Sequence, residues 1–271
     1  MVATNIRKEA RESLKGKWLK AAVMLFIEAV IIAIIGVIEG AIKDNSIIKP
    51  IISIIEIIIQ VPLALGLVYA FIKLKRNEEV NYFDFIKIGF ENFSRSWALC
   101  FRTLIKMILP IVCIIVALIL IGVMFAVGGI KGMAFNMGQK ALGISILAIA
   151  IYVAAISYAV IIGLKYALTT LIAYDNPDMS ATEVVEKSAE LMVGHRGDLF
   201  VLTLSFIGWA ILCYVPLMLA YATTLMSVAI IFRICTVLAM LCLGAYVQTA
   251  KVCFYDNILQ LKSEKNTGVQ E

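Results

Sequence analysis

Charged and amide side chains are rare inside the long apolar runs of this chain, and each is therefore a candidate for chemistry. Four of them are predicted to form one polar site: Glu28, Glu56, Gln60 and Arg233. If these runs cross a bilayer, a charge near its centre costs about 2.5–3.5 kcal/mol on insertion scales. Each charge then requires a partner, a water-filled cavity or, for glutamate, a proton.

The depth of these residues predicts how they pair. Counted from the outer ends of their runs, Glu56 and Arg233 lie at similar depth, and Glu28 lies nearer the middle. We therefore expect Arg233 to pair with Glu56 or with Glu28. Two interpretations remain open: a site that handles a proton, an ion or a headgroup, and a structural pair that fixes helix register.

Other residue types that carry catalysis show no recognisable arrangement. His195 is the single histidine, so neither a histidine-rich metal site nor an HExxH motif exists. The six cysteines form no CxxC motif and no disulfide-framework spacing, and no paired carboxylates flank a serine or cysteine. The sequence predicts no enzyme, no cofactor and no nucleic-acid binding.

The composition predicts the elements that must position these residues. Apolar residues make up 62% of the 271 residues and charged residues 16%, and the mean hydropathy is +0.97. Soluble domains carry about 45–50% apolar and about 25% charged residues. We therefore predict one integral membrane domain over 1–271, an all-α polytopic bundle with six spans of roughly 20 residues. The expected spans are Leu19–Ile42, Ile47–Ile72, Leu104–Gly129, Ala141–Ile162, with helix running on to about Tyr174, Leu199–Ala220 and Thr224–Ala250.

The basic residues are distributed unevenly between the two sides of these spans. The termini and the connections at 73–106 and 165–198 hold 19 Lys and Arg residues, and the other side holds four. The positive-inside rule then places both termini in the cytoplasm. Seven of the basic residues are predicted to contact anionic lipid headgroups: Arg7, Lys8, Arg11, Lys15, Lys17, Arg95 and Arg196.

Amphipathic segments precede the first, third and fifth spans. In the first segment Ile6, Ala10, Leu14 and Trp18 share one helical face and basic residues lie elsewhere. Such a segment is typical of a helix lying in the plane of the membrane interface.

The second and third segments carry start signals as well. A helix is predicted over Asn81–Trp97, with Asn81 as its N-cap and the stripe Phe83, Ile86, Phe90 and Phe93 as its buried face. In the third segment, Ser180 and Glu183 are spaced as a capping box.

These patterns recur along the chain. "ESLKGKWL", "ENFSRSWAL" and "ELMVGHRGDLF" lead into spans, while "LGLVYA", "IGLKYA" and "LGAYV" lie in the spans that return. We predict three pseudo-repeats of about 1–75, 76–174 and 175–260, each an interfacial cytoplasmic helix followed by a transmembrane hairpin.

Small residues are spaced for close helix packing at two places. "GVIEG" places Gly36 and Gly40 at GxxxG spacing, and Ala155, Ala159 and Gly163 form a second stripe. We expect both to let helices approach within the bundle, with a homodimer face as the alternative.

Three stretches carry a resemblance to a known family: "ARESLKGKW", "YDNPDMSATEVVEKSAELMVGHRGDLF" and "VCFYDNIL". They resemble a bacterial family of integral membrane proteins, typical of low-GC Gram-positive bacteria and classed as domain of unknown function 975. More distantly, the layout is similar to the membrane domain of glycerophosphodiester phosphodiesterases, whose catalytic domain has no counterpart here. The resemblance implies six spans and a plasma-membrane location, and it implies no activity.

The expected function follows from this architecture. We predict a non-enzymatic plasma-membrane protein that binds lipid or another amphiphile within the bundle, with anionic headgroups on the cytoplasmic side as partners. A homo-oligomer or an unidentified membrane partner is compatible with the pattern. The alternative is a small transporter or channel that uses Glu28, Glu56 and Arg233.

Overall fold

Over the residues that the structure describes, the chain folds into helices joined by short turns. The computed structural model describes residues 3–42, 47–135 and 139–267, and the side chains of these ranges except those at 123–145 and 265–267. The helices are α1 (Ala3–Ser13), α2 (Trp18–Ala41), α3 (Ile48–Lys75), α4 (Asp84–Glu91), α5 (Phe93–Phe135), α6 (Gln139–Lys165), α7 (Thr169–Asp175), α8 (Ala181–Leu191), α9 (Arg196–Ala222) and α10 (Met226–Thr267).

Six of these helical segments, counted over the described residues, are long and apolar enough to cross a membrane. They lie in α2, α3, α5, α6 with α7, α9 and α10, as the sequence predicts. The chain is therefore a multi-pass membrane protein. The connections predicted around Lys43, Lys131 and Lys140 fall outside the residues or side chains that the structure describes.

Consecutive long helices pack as three pairs, α2 with α3, α5 with α6, and α9 with α10, and α3 packs more extensively on α4 than on α2. Short helices α1, α4 and α8 precede these pairs in the chain. The fourth span is interrupted after Lys165, and the chain resumes as the separate helix α7 at Thr169. The expected continuous helix to Tyr174 is therefore wrong at this turn.

The apolar core lies at one end of the bundle, which we call the basal end and which holds α1, α4, α7 and α8. Its largest fully buried side chains include Phe71, Phe85, Met192, Phe254 and Tyr255. At the opposite ends of the spans most large apolar side chains are exposed, as expected where lipid rather than protein surrounds a helix. The helix pairs are thus held to one another mainly at the basal end.

Helix α1 uses the predicted apolar face, and that face packs on protein. Ile6, Ala10 and Leu14 are all buried, because α1 packs on α9 and α10. The basic residues between them are left on the other sides of the helix.

The predicted helix over Asn81–Trp97 is wrong in two respects. A break at Asn92 ends α4 and lets the long helix α5 begin at Phe93. At the start of α4 the side chain of Asn81 does not cap; the backbone N–H of Asn81 instead donates to the Asp84 carboxylate at 2.7 Å. The local hydrogen bond to Asp84 therefore replaces the expected N-cap.

The face of α4 that packs on protein is not the predicted aromatic stripe, so burial of that stripe in the membrane interface stays a prediction. Phe85 and Gly89 are buried, whereas Phe83 and Phe90 are 64% and 46% exposed. Phe85 and Gly89 are turned toward α3 because α4 packs closely against that helix. The aromatic stripe is consequently left on the outer surface of α4.

The capping box of the third segment is confirmed. The backbone N–H of Glu183 donates to the Ser180 hydroxyl at 3.3 Å, and the backbone N–H of Ser180 donates to the Glu183 carboxylate at 2.8 Å. The hydrogen bonds from Ser180 lower the pKa of Glu183. Val184 and Ser188 are buried beneath this start, so α8 is fixed at both its end and its face.

Close helix approach occurs at glycines outside the two predicted stripes. A Cβ at Gly36, Gly40 or Gly163 would meet nothing within 4 Å, so these positions do not serve close approach among the described residues. At Gly66 and Gly89, by contrast, the backbones of α3 and α4 touch. The stripe expectation is therefore wrong for these glycines, because the helix pairs meet at the basal end rather than along their outer halves.

Candidate functional site

The four predicted intramembrane polar residues do not form one cluster. Glu28 and Glu56 are half-buried, and Gln60 and Arg233 are exposed. Among the described residues, no hydrogen bond or ion pair joins any two of the four. The Arg233 guanidinium instead lies over the ring of Tyr221, 5.9 Å from the ring centroid.

The position of Arg233 along α10 explains why the expected pair is absent. Gly244 of α10 packs against Leu25 of α2, near the basal end. Arg233 precedes Gly244 by 11 residues, or about 16 Å along a helix. Helix α10 packs on the first helix pair between Gly244 and the basal end, and Arg233 lies on the other side of Gly244. Neither Glu56 nor Glu28 therefore reaches the guanidinium.

Glu39, another acidic residue inside the spans, has a hydrogen-bond partner. The hydroxyl of Ser53 on α3 donates to the carboxylate of Glu39 on α2 at 2.9 Å. This bond joins the two helices near their outer ends and is a packing device.

A cavity with mixed chemistry lies between α1, α9 and α10. Its volume is about 520 Å³, within the roughly 300–1,000 Å³ of small-molecule sites. Its polar end is formed by Thr4, Arg7, Arg11 and Tyr246. Its apolar end is formed by Trp18, Trp209, Cys213, Ala239, Cys242 and Leu243. We call this space the amphiphilic cavity.

The polar end is positioned by the buried face of α1. Because Ile6 and Ala10 are held in the core, Arg7 and Arg11 are set one turn apart on the side that lines the cavity. The Tyr246 hydroxyl donates to the backbone carbonyl of Arg7 at 3.0 Å. The Nε of Arg7 is buried without a hydrogen-bond partner among the described residues, so it is available to an acceptor.

Aromatic packing shapes the rest of the amphiphilic cavity. The ring of Tyr246 packs edge-on against Phe206, with centroids 5.0 Å apart, and lies 6.2 Å from the ring of Trp18. From Tyr246 the wall continues along α10 through Leu243 to Ala239, which spans about 10 Å of helix. The cavity therefore changes from cationic to apolar along the helix axis.

Two of the basic residues predicted to contact headgroups have partners within the protein. The ammonium of Lys17 donates to the Leu74 carbonyl at 2.6 Å and to the Asn77 side chain at 2.5 Å. Arg95 donates to the Ala173 carbonyl at 3.1 Å, to the Asn176 carbonyl at 2.7 Å and to the Pro177 carbonyl. Both side chains satisfy carbonyls at helix C-termini.

The remaining predicted headgroup contacts lie at the surface. Lys8 and Lys15 are exposed on and after α1. Arg196 is half-buried at the start of α9, and its Nε has no hydrogen-bond partner among the described residues. These residues stay predictions, and Arg7 and Arg11 are the two that line a cavity.

A second feature at the basal end joins four elements by charge. Lys75 of α3 lies 2.5 Å from Asp256 of α10 and 3.3 Å from Glu9 of α1. The adjacent Arg76 binds both carboxylate oxygens of Asp175, at 2.6 and 2.9 Å, and lies 3.2 Å from Asp256. We call these five residues the basal charge cluster.

The basal charge cluster is partly shielded from solvent. The side chains of Lys75 and Asp256 are 17% and 16% exposed. The hydrogen bonds that Arg76 donates to the Asp175 carboxylate raise the pKa of Arg76 despite the cost of burial. The Asn257 side chain adds a hydrogen bond to Glu9 at 2.8 Å. This arrangement fixes α1, and so the two arginines of the amphiphilic cavity, on the rest of the bundle.

The basal charge cluster was not predicted, although the sequence holds a signal for it. The triplet Tyr-Asp-Asn occurs at 174–176 and again at 255–257, each near the basal end of a returning helix. Both aspartates join the cluster. Across the described residues, no group of three or more His, Cys, Asp or Glu side chains is arranged to hold a metal ion.

Comparison with known proteins places the chain in a family. No curated protein and no solved structure matches it significantly. The family model "Protein of unknown function (DUF975)" matches residues 1–262, nearly the whole chain. The chain therefore belongs to the DUF975 family of proteins of unknown function.

Proposed function

We propose that this protein is a non-enzymatic, multi-pass protein of the bacterial plasma membrane that binds an anionic amphiphile in the amphiphilic cavity. The amphiphile is a phospholipid or a similar molecule with a charged head and an apolar chain. The observation that carries the proposal is the juxtaposition of Arg7 and Arg11 with an apolar wall. Arginine binds phosphate and carboxylate through several donors, while the apolar wall suits an acyl chain.

The proposed orientation agrees with this use of the cavity. The 19-to-4 distribution of basic residues supports cytoplasmic termini. The basal end then lies at the inner membrane surface, whose anionic lipids attract basic side chains. The exposed aromatic residues Phe83 and Phe90 of α4 are suited to contact the same interface.

Three similar units are part of the proposal. The order of a short helix followed by a hairpin fits repeats of about 1–75, 76–174 and 175–260. Asn176 and Asn257 both donate to the carbonyl four residues earlier, each at 2.9 Å. Gly16 and Gly194 both have positive φ shortly before a spanning helix begins. These parallels support descent from one unit.

Transport through the bundle has less support than amphiphile binding. A path that uses Glu28, Glu56 and Arg233 requires them to line a common space. No direct bond joins any two of them among the described residues, and none of them lines the amphiphilic cavity.

Replacing the two cavity arginines should reduce binding of anionic lipid. In full-length protein in detergent, Arg7→Gln should weaken binding of phosphatidylglycerol about fivefold, because one basic side chain near a headgroup contributes about 1 kcal/mol. Arg7→Gln with Arg11→Gln should weaken it by roughly 20-fold or more. Quenching of tryptophan fluorescence by lipid with brominated acyl chains measures this, since Trp18 and Trp209 line the cavity.

The controls separate a site from diffuse surface charge. Lys8→Gln and Lys15→Gln make the same charge change on exposed neighbours and should alter binding less than twofold. Trp97→Phe removes the one tryptophan that does not line the cavity. Equal losses from the lysine and arginine variants, or equal binding of phosphatidylcholine by the unmodified protein, would contradict the proposal.

The topology has its own test on intact cells. In a background without native cysteines, Thr224→Cys in the turn between α9 and α10 should react with a membrane-impermeant maleimide. Glu79→Cys, in the turn between α3 and α4, should react only after the cells are permeabilised. The physical reason is the basic asymmetry, which keeps the segment around Glu79 inside. The reverse labelling pattern would mean that the basal end faces outward.

A further inference from the structure

A second cavity, of about 340 Å³, lies at the basal end among α3, α4, α5 and α7. It is separate from the amphiphilic cavity and shares no residue with it. Its polar lining comprises Tyr69, Lys73, Glu91, Asn92, Arg95 and Tyr174. Two of these side chains hold buried donors that nothing in the described chain accepts.

The first such donor is the hydroxyl of Tyr69. The residue is only 5% exposed, and its hydroxyl has no hydrogen-bond partner among the described residues. The ring is fixed by an edge contact with Tyr174, with centroids 5.0 Å apart and an interplanar angle of 76°. A buried hydroxyl is normally bonded, because leaving it unpaired costs the free energy of its lost hydration.

The second donor is the Nε–H of Arg95. The terminal nitrogens of this guanidinium already donate to three carbonyls at the end of α7, including those of Ala173 and Asn176. These bonds fix the plane of the group, while its Nε stays buried without a partner among the described residues. The Arg95 guanidinium lies close enough to the Tyr69 hydroxyl to interact with it, but no hydrogen bond of good geometry joins them. The two unpaired donors are therefore neighbours at one cavity.

Lys73 completes the set of donors. It follows Tyr69 by four residues on α3 and so lies on the same helical face, one turn closer to the basal end. Lys73 and Arg95 together carry two positive charges against the single negative charge of Glu91 in the lining. The start of α5 at Phe93 adds the positive end of a helix dipole beside Asn92.

We propose that this cavity binds an oxyanion, a phosphate or carboxylate group. It would accept hydrogen bonds from the Tyr69 hydroxyl, the Arg95 Nε–H and the Lys73 ammonium. The oxyanion can be a free ion or part of a lipid headgroup, since both present the same oxygens. This site does not depend on the amphiphilic cavity, because it is built from other residues on other helices.

Binding of inorganic phosphate to the full-length protein tests the site. Isothermal titration calorimetry in detergent and phosphate-free buffer should show saturable binding. Tyr69→Phe, which removes only the hydroxyl, should weaken it about tenfold, as expected for a hydrogen bond to a charged group. Lys73→Gln should weaken it as well. Tyr166→Phe, which changes a tyrosine that lines another cavity, should leave it unchanged.

A second arm distinguishes the source of the oxyanion. Short-chain phosphatidylglycerol is titrated into protein that carries Arg7→Gln and Arg11→Gln, so that the amphiphilic cavity does not contribute. Lipid binding that depends on Tyr69 in the absence of phosphate binding identifies a headgroup site. Binding of neither probe, or binding indifferent to Tyr69→Phe, overturns the proposal.

The stability of the unliganded protein is a third readout. If the Tyr69 hydroxyl is unpaired in the absence of ligand, Tyr69→Phe should leave the thermal midpoint unchanged or raise it, because an unpaired buried group is removed. A lower midpoint without phosphate would show that the hydroxyl is bonded inside the protein and would overturn the proposal.

Discussion

Replacing Gly66 with alanine should strongly destabilise the protein. A Cβ at this position would lie 2.0 Å from the Phe85 carbonyl oxygen, 2.7 Å from the Gly89 nitrogen and 2.9 Å from the Gly89 Cα. All three are backbone atoms of α4, so no side chain can rotate away. Overpacking costs about 1–3 kcal/mol and occasionally more. We expect a cost of about 3 kcal/mol or more, because the whole of α4 must move.

The reciprocal contact supports the same result. A Cβ at Gly89 would lie 2.3 Å from the carbonyl oxygen of Pro62 on α3. The two helices thus cross with both backbones in contact, and Gly89→Ala should be comparably harmful. Phe85, which is fully buried beside this crossing, would be displaced with α4.

Gly163→Ala is the matched control for the alanine at Gly66. Gly163 also lies in a spanning helix, in "IGLKYA", and a Cβ there meets nothing within 4 Å. Alanine favours helix over glycine by up to about 1 kcal/mol, so this variant should be neutral or slightly more stable. Thermal unfolding in detergent, followed by circular dichroism, should show a midpoint roughly 6–12 °C lower for Gly66→Ala. Equal midpoints for the two variants would contradict the close crossing.

The positions of the spans could be predicted because one physical constraint determines them. A bilayer requires about 20 apolar residues in helical form, and no other element hides the backbone polar groups. The second predicted span, Ile47–Ile72, corresponds to α3 at Ile48–Lys75. The ends of the long helices were less predictable, since Asn92 and the turn after Lys165 interrupt helix where tertiary packing requires it.

The buried face of a short helix could be predicted only where its apolar stripe packs on protein rather than facing lipid. The face of Ile6, Ala10 and Leu14 on α1 is buried as a stripe. On α4, Phe90 lies on the outer side, whereas Phe85 and Gly89 lie on the inner side against α3. A hydrophobic stripe cannot distinguish a protein core from a lipid surface, because both accept the same side chains.

The sequence predicts where the charged residues lie, but it does not predict which of them form pairs. Basic residues near the start of the chain were expected to meet headgroups, and the structure places Arg7 and Arg11 in a cavity. The pairing of Arg233 with Glu56 or Glu28 was reasoned from depth alone and is absent, because depth does not specify which helices touch. For the same reason the sequence shows Lys75 and Arg76 only as part of the basic asymmetry, and not as partners of Asp256 and Asp175.

Removing the charge of Asp256 should have the second large effect. Its carboxylate lies between Lys75 at 2.5 Å and Arg76 at 3.2 Å. Removing one partner of a buried pair costs about 3–5 kcal/mol, since the other charge stays desolvated. The side chains of the basal charge cluster retain some exposure, so we expect about 2 kcal/mol for Asp256→Asn.

The pair Lys87–Glu91 provides the matched control for Asp256→Asn. Its charges are 3.8 Å apart, and its side chains are 76% and 60% exposed. Exposed pairs of this kind contribute about 0.3–0.5 kcal/mol, so Glu91→Gln should barely move the thermal midpoint. Asp256→Asn should lower it by roughly 4–8 °C. Adding Lys75→Gln to Asp256→Asn should restore part of the loss, because the unpaired ammonium is then removed.

The consequence of Asp256→Asn should extend to lipid binding. Lys75 connects Asp256 to Glu9, and Glu9 lies on α1 two residues after Arg7. Weakening this connection should loosen α1 and reduce binding of phosphatidylglycerol even below the temperature of unfolding. Unchanged lipid binding in folded Asp256→Asn protein would mean that the buried face of Ile6, Ala10 and Leu14 holds α1 without help from charge. A midpoint no lower than that of Glu91→Gln would mean that the basal charge cluster is no more stabilising than an exposed ion pair.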